Sequence, residues 1–251
     1  MAMRYVAIGD SFTEGLGDDL PDGTCRGWAD RVAAGLATAG AEPVEYANLA
    51  IRGRLLEPIV TEQLEAALAL TPQPTLITLN GGGNDMLRPG VDLSRLVGLT
   101  ERAVQRCLDA GVQIVLLSGA DPSAHLPFGS VFRRRGDQLT TAVAELAERY
   151  DLVFADVFHD AEIRKAPYWS TDRLHLNAAG HQRAASLVLA AMGHPTAAHV
   201  VDPGPSASRR LAAEVQYYRE HVLPWIQRRV RGQSSGDHRT AKLPQWTPIT
   251  G

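Results

Sequence analysis

A serine hydroxyl becomes a nucleophile only when a base removes its proton and donors receive the charge that develops opposite it. Ser11 is the residue around which such chemistry could be built, in the run Tyr5-Val6-Ala7-Ile8-Gly9-Asp10-Ser11-Phe12-Thr13-Glu14-Gly15. The stretch from Arg4 to Ile8 reads as a buried strand that stops abruptly at turn residues. Ser11 is then at the carboxyl edge of an α/β sheet, where open sheets keep their binding crevice. If it opens a helix, free backbone N–H groups and the positive end of a helix dipole favour a developing anion near its hydroxyl. They do not take its proton, so a base must come from elsewhere. Read alone, Gly9-Asp10-Ser11 is equally a helix N-cap after a strand, since Asp and Ser both cap well. Phosphate chemistry fits less well. No Gly-x-x-x-x-Gly-Lys-Ser/Thr loop follows the strand, and Phe12 stands where an aspartyl phosphatase carries a second Asp.

The elements that would position Ser11 alternate along the chain. Helical patterns cover Trp28 to Ala39, stopped by Gly40, then Leu55 to Leu70, Leu93 to Ala110, Val131 to Arg149 and Asn177 to Met192. Pro58 is tolerable in the second of these because it lies in the first turn. Strand-like runs fall at Arg4 to Ile8, Val44 to Asn48, Thr75 to Asn80, Val112 to Ser118 and Leu152 to Ala155. Five strands separated by helices predict a parallel sheet covered on both faces and wound right-handedly. The expected fold class is α/β, a three-layer α/β/α sandwich with a five-stranded parallel sheet, flavodoxin-like in its winding.

In such a fold chemistry comes from the loops that follow strands. After the second strand comes Asn48-Leu49-Ala50-Ile51-Arg52-Gly53, and after the third Asn80-Gly81-Gly82-Gly83-Asn84-Asp85. Before the last helix comes Ser170-Thr171-Asp172-Arg173-Leu174-His175-Leu176-Asn177. With these stretches the sequence resembles the SGNH hydrolases, the GDSL esterase and lipase family. Gly9-Asp10-Ser11 matches the nucleophile block and Gly53 the second-block glycine. Gly82-Gly83-Asn84-Asp85 matches Gly-x-Asn-Asp, and Asp172-Arg173-Leu174-His175 matches Asp-x-x-His. The resemblance spans roughly residues 4–192.

The resemblance implies a carboxylic ester hydrolase that works through an acyl-enzyme. Ser11 would attack the carbonyl, with His175 taking its proton and Asp172 orienting the imidazole. The oxyanion hole would consist of the Ser11 and Gly53 backbone N–H groups and the Asn84 side chain. Asp85 is expected to brace its loop. Thioesterase, acyltransferase and acyl-carbohydrate deacetylase activities would use the same residues. The alternative from another class is a ligand-binding crevice without turnover.

Around these blocks, Asp10, His125, Tyr168 and Trp169 are candidate substrate contacts, although packing of Tyr168 and Trp169 onto the core is an equally plain reading. The loop Leu16 to Gly27, with Asp18, Asp19 and Asp22, is expected to shape preference. No long apolar run suggests a deep acyl channel, which favours short acyl or acetyl esters. His181 lies six residues from His175, not a metal-ligand spacing, so it reads as structural. Neither metal nor cofactor is expected, and Cys25 reads as a bystander.

The 251 residues are 45% hydrophobic and 21% charged, as in globular chains. No apolar run approaches 18 residues, so no membrane span is expected. Two cysteines and a start that runs directly into a strand predict a cytoplasmic protein with both thiols reduced. No nucleic-acid partner is expected. Residues 1–205 carry 17 Lys+Arg against 25 Asp+Glu, a charge of −8; residues 206–251 carry 8 against 3, or +5. The composition also shifts at Pro203-Gly204-Pro205, so residues 1–205 are read as the catalytic domain and 206–251 as a basic extension. Its start reads as a helix to about residue 231, with Leu211, Val215, Tyr218 and Val222 on one face. The remainder, rich in Gly, Ser, Thr and Pro, is expected to be largely irregular. Docking on the acidic body, homodimerisation and contact with another partner are the readings of this tail. With no catalytic block past His175, removing the tail is expected to leave hydrolysis intact.

Overall fold

The computed structural model describes residues 3–40, 43–126, 129–194, 203 and 236–250. Five parallel strands, β1 (Met3–Ile8), β2 (Val44–Asn48), β3 (Leu76–Leu79), β4 (Gln113–Leu117) and β5 (Val153–Ala155), form the sheet with a sixth, β6 (Leu243–Ile249). The order is β5-β4-β3-β1-β2-β6, so β1, which delivers Ser11, lies in the middle. Tyr5 pairs with Tyr46 on one side and Leu76 on the other.

Side chains alternate across the pleat and divide the core in two. Val6, Ile8, Ile77, Ile114 and Leu116 pack against Leu64, Leu99, Val104 and Leu146. These come from the helical stretch after β2, from α6 (Leu93–Asp109) and from α7 (Gly129–Arg149). Tyr5, Ala7, Tyr46, Val115 and Leu117 face the other way, onto Trp28, Val32 and Leu36 of α2 (Trp28–Ala39) and Ala184 and Val188 of α8 (Ala178–Ala191). The architecture is the expected three-layer α/β/α sandwich. The short helices α1 (Ser11–Glu14) and α5 (Gly83–Met86) stand at the carboxyl edge of the sheet. The helical stretch after β2 is built from α3 (Leu56–Pro58), a π-helical turn over Ile59–Gln63 and α4 (Leu64–Leu68).

Six strands rather than five is the main departure from the sequence reading. Leu243–Ile249, expected to be irregular, pairs antiparallel with β2, from Val44 opposite Ile249 to Asn48 opposite Leu243, with a register shift between Tyr46 and Asn48. Pro244 and Pro248 made the run look unlike a strand. An edge strand tolerates proline because one row of its N–H groups has no ladder partner to lose. The segment thus docks on the body of its own chain, with Leu243 and Ile249 against one core and Trp246 against the other. The amphipathic helix expected up to residue 231 lies outside the described residues. Among the described residues no helix is long and apolar enough to cross a membrane.

Candidate active site

The exit from β1 is held from two directions. Asp10 caps α1, its Oδ1 accepting from the Phe12 N–H at 3.1 Å. Behind it, Gln63 clamps Gly9 through both backbone groups: Gly9 N–H donates to Oε1 at 2.8 Å and Nε2 donates to the Gly9 carbonyl at 3.0 Å. Gln63 is buried and lies in the π-helical turn, a local widening often found at functional sites. Ser11 therefore projects from a backbone with little freedom.

The partner loop arrives just ahead of α8. Trp169 and Leu176 form a bridge and Ser170 N–H donates to the His175 carbonyl at 2.8 Å, closing a turn in which Arg173 takes a left-handed φ of 58°. Inside this turn Asp172 Oδ1 accepts from Ser170 Oγ at 2.6 Å and from the Leu174 and His175 N–H groups, both at 3.0 Å. Its Oδ2 lies 2.5 Å from His175 Nδ1, and His175 Nε2 lies 2.9 Å from Ser11 Oγ. A carboxylate facing Nδ1 selects the tautomer with its proton there, which leaves Nε2 to accept from the serine. Burial pushes the Asp172 carboxyl up, but the hydrogen bond and charge of His175, with Ser170 and the backbone donors, outweigh it and hold the group well below the usual carboxylate range.

The two remaining motif loops flank this line. Asn84 Nδ2 donates to Asp10 Oδ2 at 3.1 Å and to the Arg54 carbonyl at 3.0 Å, joining the loops after β1, β2 and β3. Asp10 is buried, and burial pushes its carboxyl up to about 6 despite the Phe12 and Asn84 hydrogen bonds and the neighbouring His175 charge. Asp85 Oδ2 accepts from the Leu56 N–H at 3.0 Å, so it braces its loop onto the start of α3. Gly53 has φ of 75°, a turn conformation that favours glycine. The preceding Arg52 is fixed by Glu14, the last residue of α1. Arg52 N–H donates to Oε2 at 2.7 Å and its Nε to Oε1 at 2.9 Å. Gln63, Glu14 and Arg52 were missed in the sequence because their partners are tens of residues away and their types are common on any helix or loop.

Beside Ser11 opens a cavity of about 120 Å³. Ser11, His175, Asp10, Asn84 and Trp169 reach its wall, and Met86, Leu117, Phe132, Leu139 and Phe158 make its interior apolar. Tyr168 does not line it: the ring is buried in the core and its hydroxyl donates to Glu162. His125 is also outside the wall. Its Nε2 lies 3.0 Å from the Arg164 carbonyl and its ring 5.5 Å from that of Trp169, so it supports the loop from behind. In the acidic loop Asp18 is buried and turned to Arg31, at 2.7 Å. His181 is fully buried, with Nδ1 accepting from Trp28 N–H at 3.2 Å and Nε2 facing the Leu16 carbonyl at 3.0 Å. It ties the segment after α1 to α2 and α8. Among the described residues no group of three or more His, Cys, Asp or Glu side chains could hold a metal ion.

Known proteins resemble this chain in family pattern and in fold. The model of the GDSL-like lipase/acylhydrolase family matches residues 7–183. Among solved structures, TesA is similar at 22% identity and a TM-score of 0.63, covering 77% of this chain and 100% of its own. A catalytic mutant of Axe2, an acetylxylan esterase from Geobacillus stearothermophilus, is similar at 21% identity and a TM-score of 0.63, covering 77% and 96%. The psychrotrophic esterase EstA from Pseudoalteromonas sp. is similar at 18% and 0.59, covering 76% and 96%. A search of curated sequences returned no match. These structures share the fold; the family match, which spans most of the chain and all four motif loops, identifies this protein as a member of the GDSL-like lipase/acylhydrolase family and a carboxylic ester hydrolase.

Proposed function

We propose that this esterase cleaves short-acyl esters through an acyl-enzyme formed on Ser11. The observation that carries the reading is the continuous line from Asp172 Oδ2 through His175 to Ser11 Oγ, with links of 2.5 and 2.9 Å. As Ser11 Oγ attacks the ester carbonyl, its proton passes to His175 Nε2, and Asp172 balances the imidazolium. The tetrahedral intermediate collapses when His175 returns that proton to the leaving alcohol. Water, activated by the same imidazole, then releases the acid and restores Ser11.

The oxyanion is received by the Ser11 and Gly53 N–H groups and by Asn84. In the free enzyme the Asn84 amide is shared between Asp10 and the Arg54 carbonyl, so a bound oxyanion has to draw one of these hydrogens toward itself. The acyl group enters the apolar cavity, whose volume of about 120 Å³ suits a short chain, and Trp169 forms part of its wall. With Cys25 and Cys107 both free, we place the activity in the cytoplasm.

The test is an ester panel from acetyl to dodecanoyl, with acetylated sugars included because an acetylxylan esterase shares the fold. Hydrolysis of the short acyl esters by wild type, abolished by Ser11→Ala, is the expected result. A panel without turnover would favour a binding crevice.

A further inference from the structure

The family match ends at residue 183, yet two residues far beyond it press on the loops that hold the reacting groups. Gly236 sits directly on the Arg52 carbonyl: a methyl group there would overlap the carbonyl oxygen and come within 2.9 Å of the Ile51 side chain. A peptide unit is planar, so the Arg52 oxygen and the Gly53 N–H turn as one rigid body. A chain segment packed against the oxygen therefore fixes where the N–H on the opposite side points.

Lys242 acts six residues later. Its Nζ donates to the Glu14 carbonyl at 2.7 Å, the Cys25 carbonyl at 2.9 Å and Asp30 Oδ2 at 2.6 Å. An ammonium has three protons, and each has a partner here. The side chain is 17% exposed, and Asp30 Oδ2 also accepts from the Gly27 N–H at the start of α2. Lys242 thus joins the end of the nucleophile helix to α2. The same Glu14 whose carbonyl it holds binds Arg52 through its carboxylate. β6 keeps both contacts in register by pairing with β2, the strand that leads into Arg52 and Gly53.

We propose that the C-terminal segment 236–249 is a positioning element of the active site, with Gly236 backing the Arg52–Gly53 peptide and Lys242 locking Glu14 beneath it. The inference rests on the proposed role of Gly53 as an oxyanion donor. It replaces the expectation that the tail is dispensable for hydrolysis. Neither residue touches substrate; each acts through Arg52 and Glu14.

Two full-length variants test it, assayed on p-nitrophenyl acetate well below their unfolding temperatures. Gly236→Ala displaces the peptide, and Lys242→Met removes the three hydrogen bonds without adding bulk, so it serves if the alanine variant does not fold. Misplaced donors weaken transition-state binding more than substrate binding, so each variant is expected to lose about 10- to 100-fold in kcat with KM nearly unchanged. Folded variants with wild-type kcat, or with the loss confined to KM, overturn the proposal. Wild type and Ser11→Ala are run beside them. If wild type turns over and Ser11→Ala does not while both variants hold wild-type kcat, the positioning role alone fails. If Ser11→Ala turns over, the reading of the site fails with it.

Discussion

The cavity beside Ser11 sets a limit on the acyl chain that can be worked out and tested. A protein cavity of about 150 Å³ holds benzene, about 25 Å³ per carbon, so about 120 Å³ takes roughly five carbons. Each methylene removed from water into an apolar wall contributes about 0.8 kcal/mol, close to fourfold in kcat/KM. From acetyl to pentanoyl the rise is then roughly 50-fold, with a fall once the chain outgrows the cavity. Leu139 of α7 is buried in the wall, with a methyl beside Gly82. Leu139→Trp should fill the space and move the optimum back toward acetyl, leaving acetyl turnover within a few-fold of wild type. The assay is kcat/KM on p-nitrophenyl esters from two to twelve carbons, each below its micelle concentration. A dodecanoyl optimum, or a profile untouched by Leu139→Trp, would refute the assignment of this cavity to the acyl chain.

Three other outcomes follow from the same geometry. Asn84→Ala should lower kcat by about 10²–10³ with little change in KM, and a loss confined to KM would make Asn84 a ground-state contact instead. Asp172→Asn should cost about 10⁴ in kcat with the fold intact, because an amide no longer favours the Nδ1–H tautomer or the imidazolium; an unchanged rate would show that another group orients His175. Burial brings the His181 pKa down from 6.5 to about 4, so the unfolded chain takes up this proton first and stability is lost as the pH drops through that window, on the order of a few kcal/mol by its lower end. Asp10, raised to about 6, opposes this between about 6 and 3.8, but it does so equally in His181→Phe, whose urea midpoint should be less sensitive to acid than that of wild type; parallel midpoints at all pH values would contradict the neutral buried histidine.

What the sequence discloses follows the reach of each interaction. The strands are legible because a fully buried parallel strand is apolar throughout, as Val6 to Ile8 and Ile114 to Leu117 are. Asp172 and His175 are legible because one short turn brings them together. Ser11 and His175 meet over 164 residues, and nothing but the motif set signals it. The supports were hidden for the same reason. Gln63 reaches Gly9 across 54 residues and Glu14 reaches Arg52 across 38, with side chains that carry no distinctive spacing. Tyr168 and Trp169 are adjacent, yet the 3₁₀ turn over Ala166–Tyr168 sends one ring into the core and the other to the cavity wall. Asp18, in the loop expected to shape preference, is buried against Arg31, and no spacing in the sequence announces that pair. β6 was concealed by Pro244 and Pro248, which only the edge position makes acceptable.

The proposed chemistry stands on Ser11 as the nucleophile activated by His175. The most direct measurement is stoichiometric reaction with a fluorophosphonate, followed by peptide mapping and residual ester hydrolysis on the same sample. The expected result is a single adduct on Ser11, with activity falling in proportion to labelling and no adduct in Ser11→Ala. Hydrolysis that persists in fully labelled protein, or an adduct on another residue with Ser11 unmodified, would contradict it.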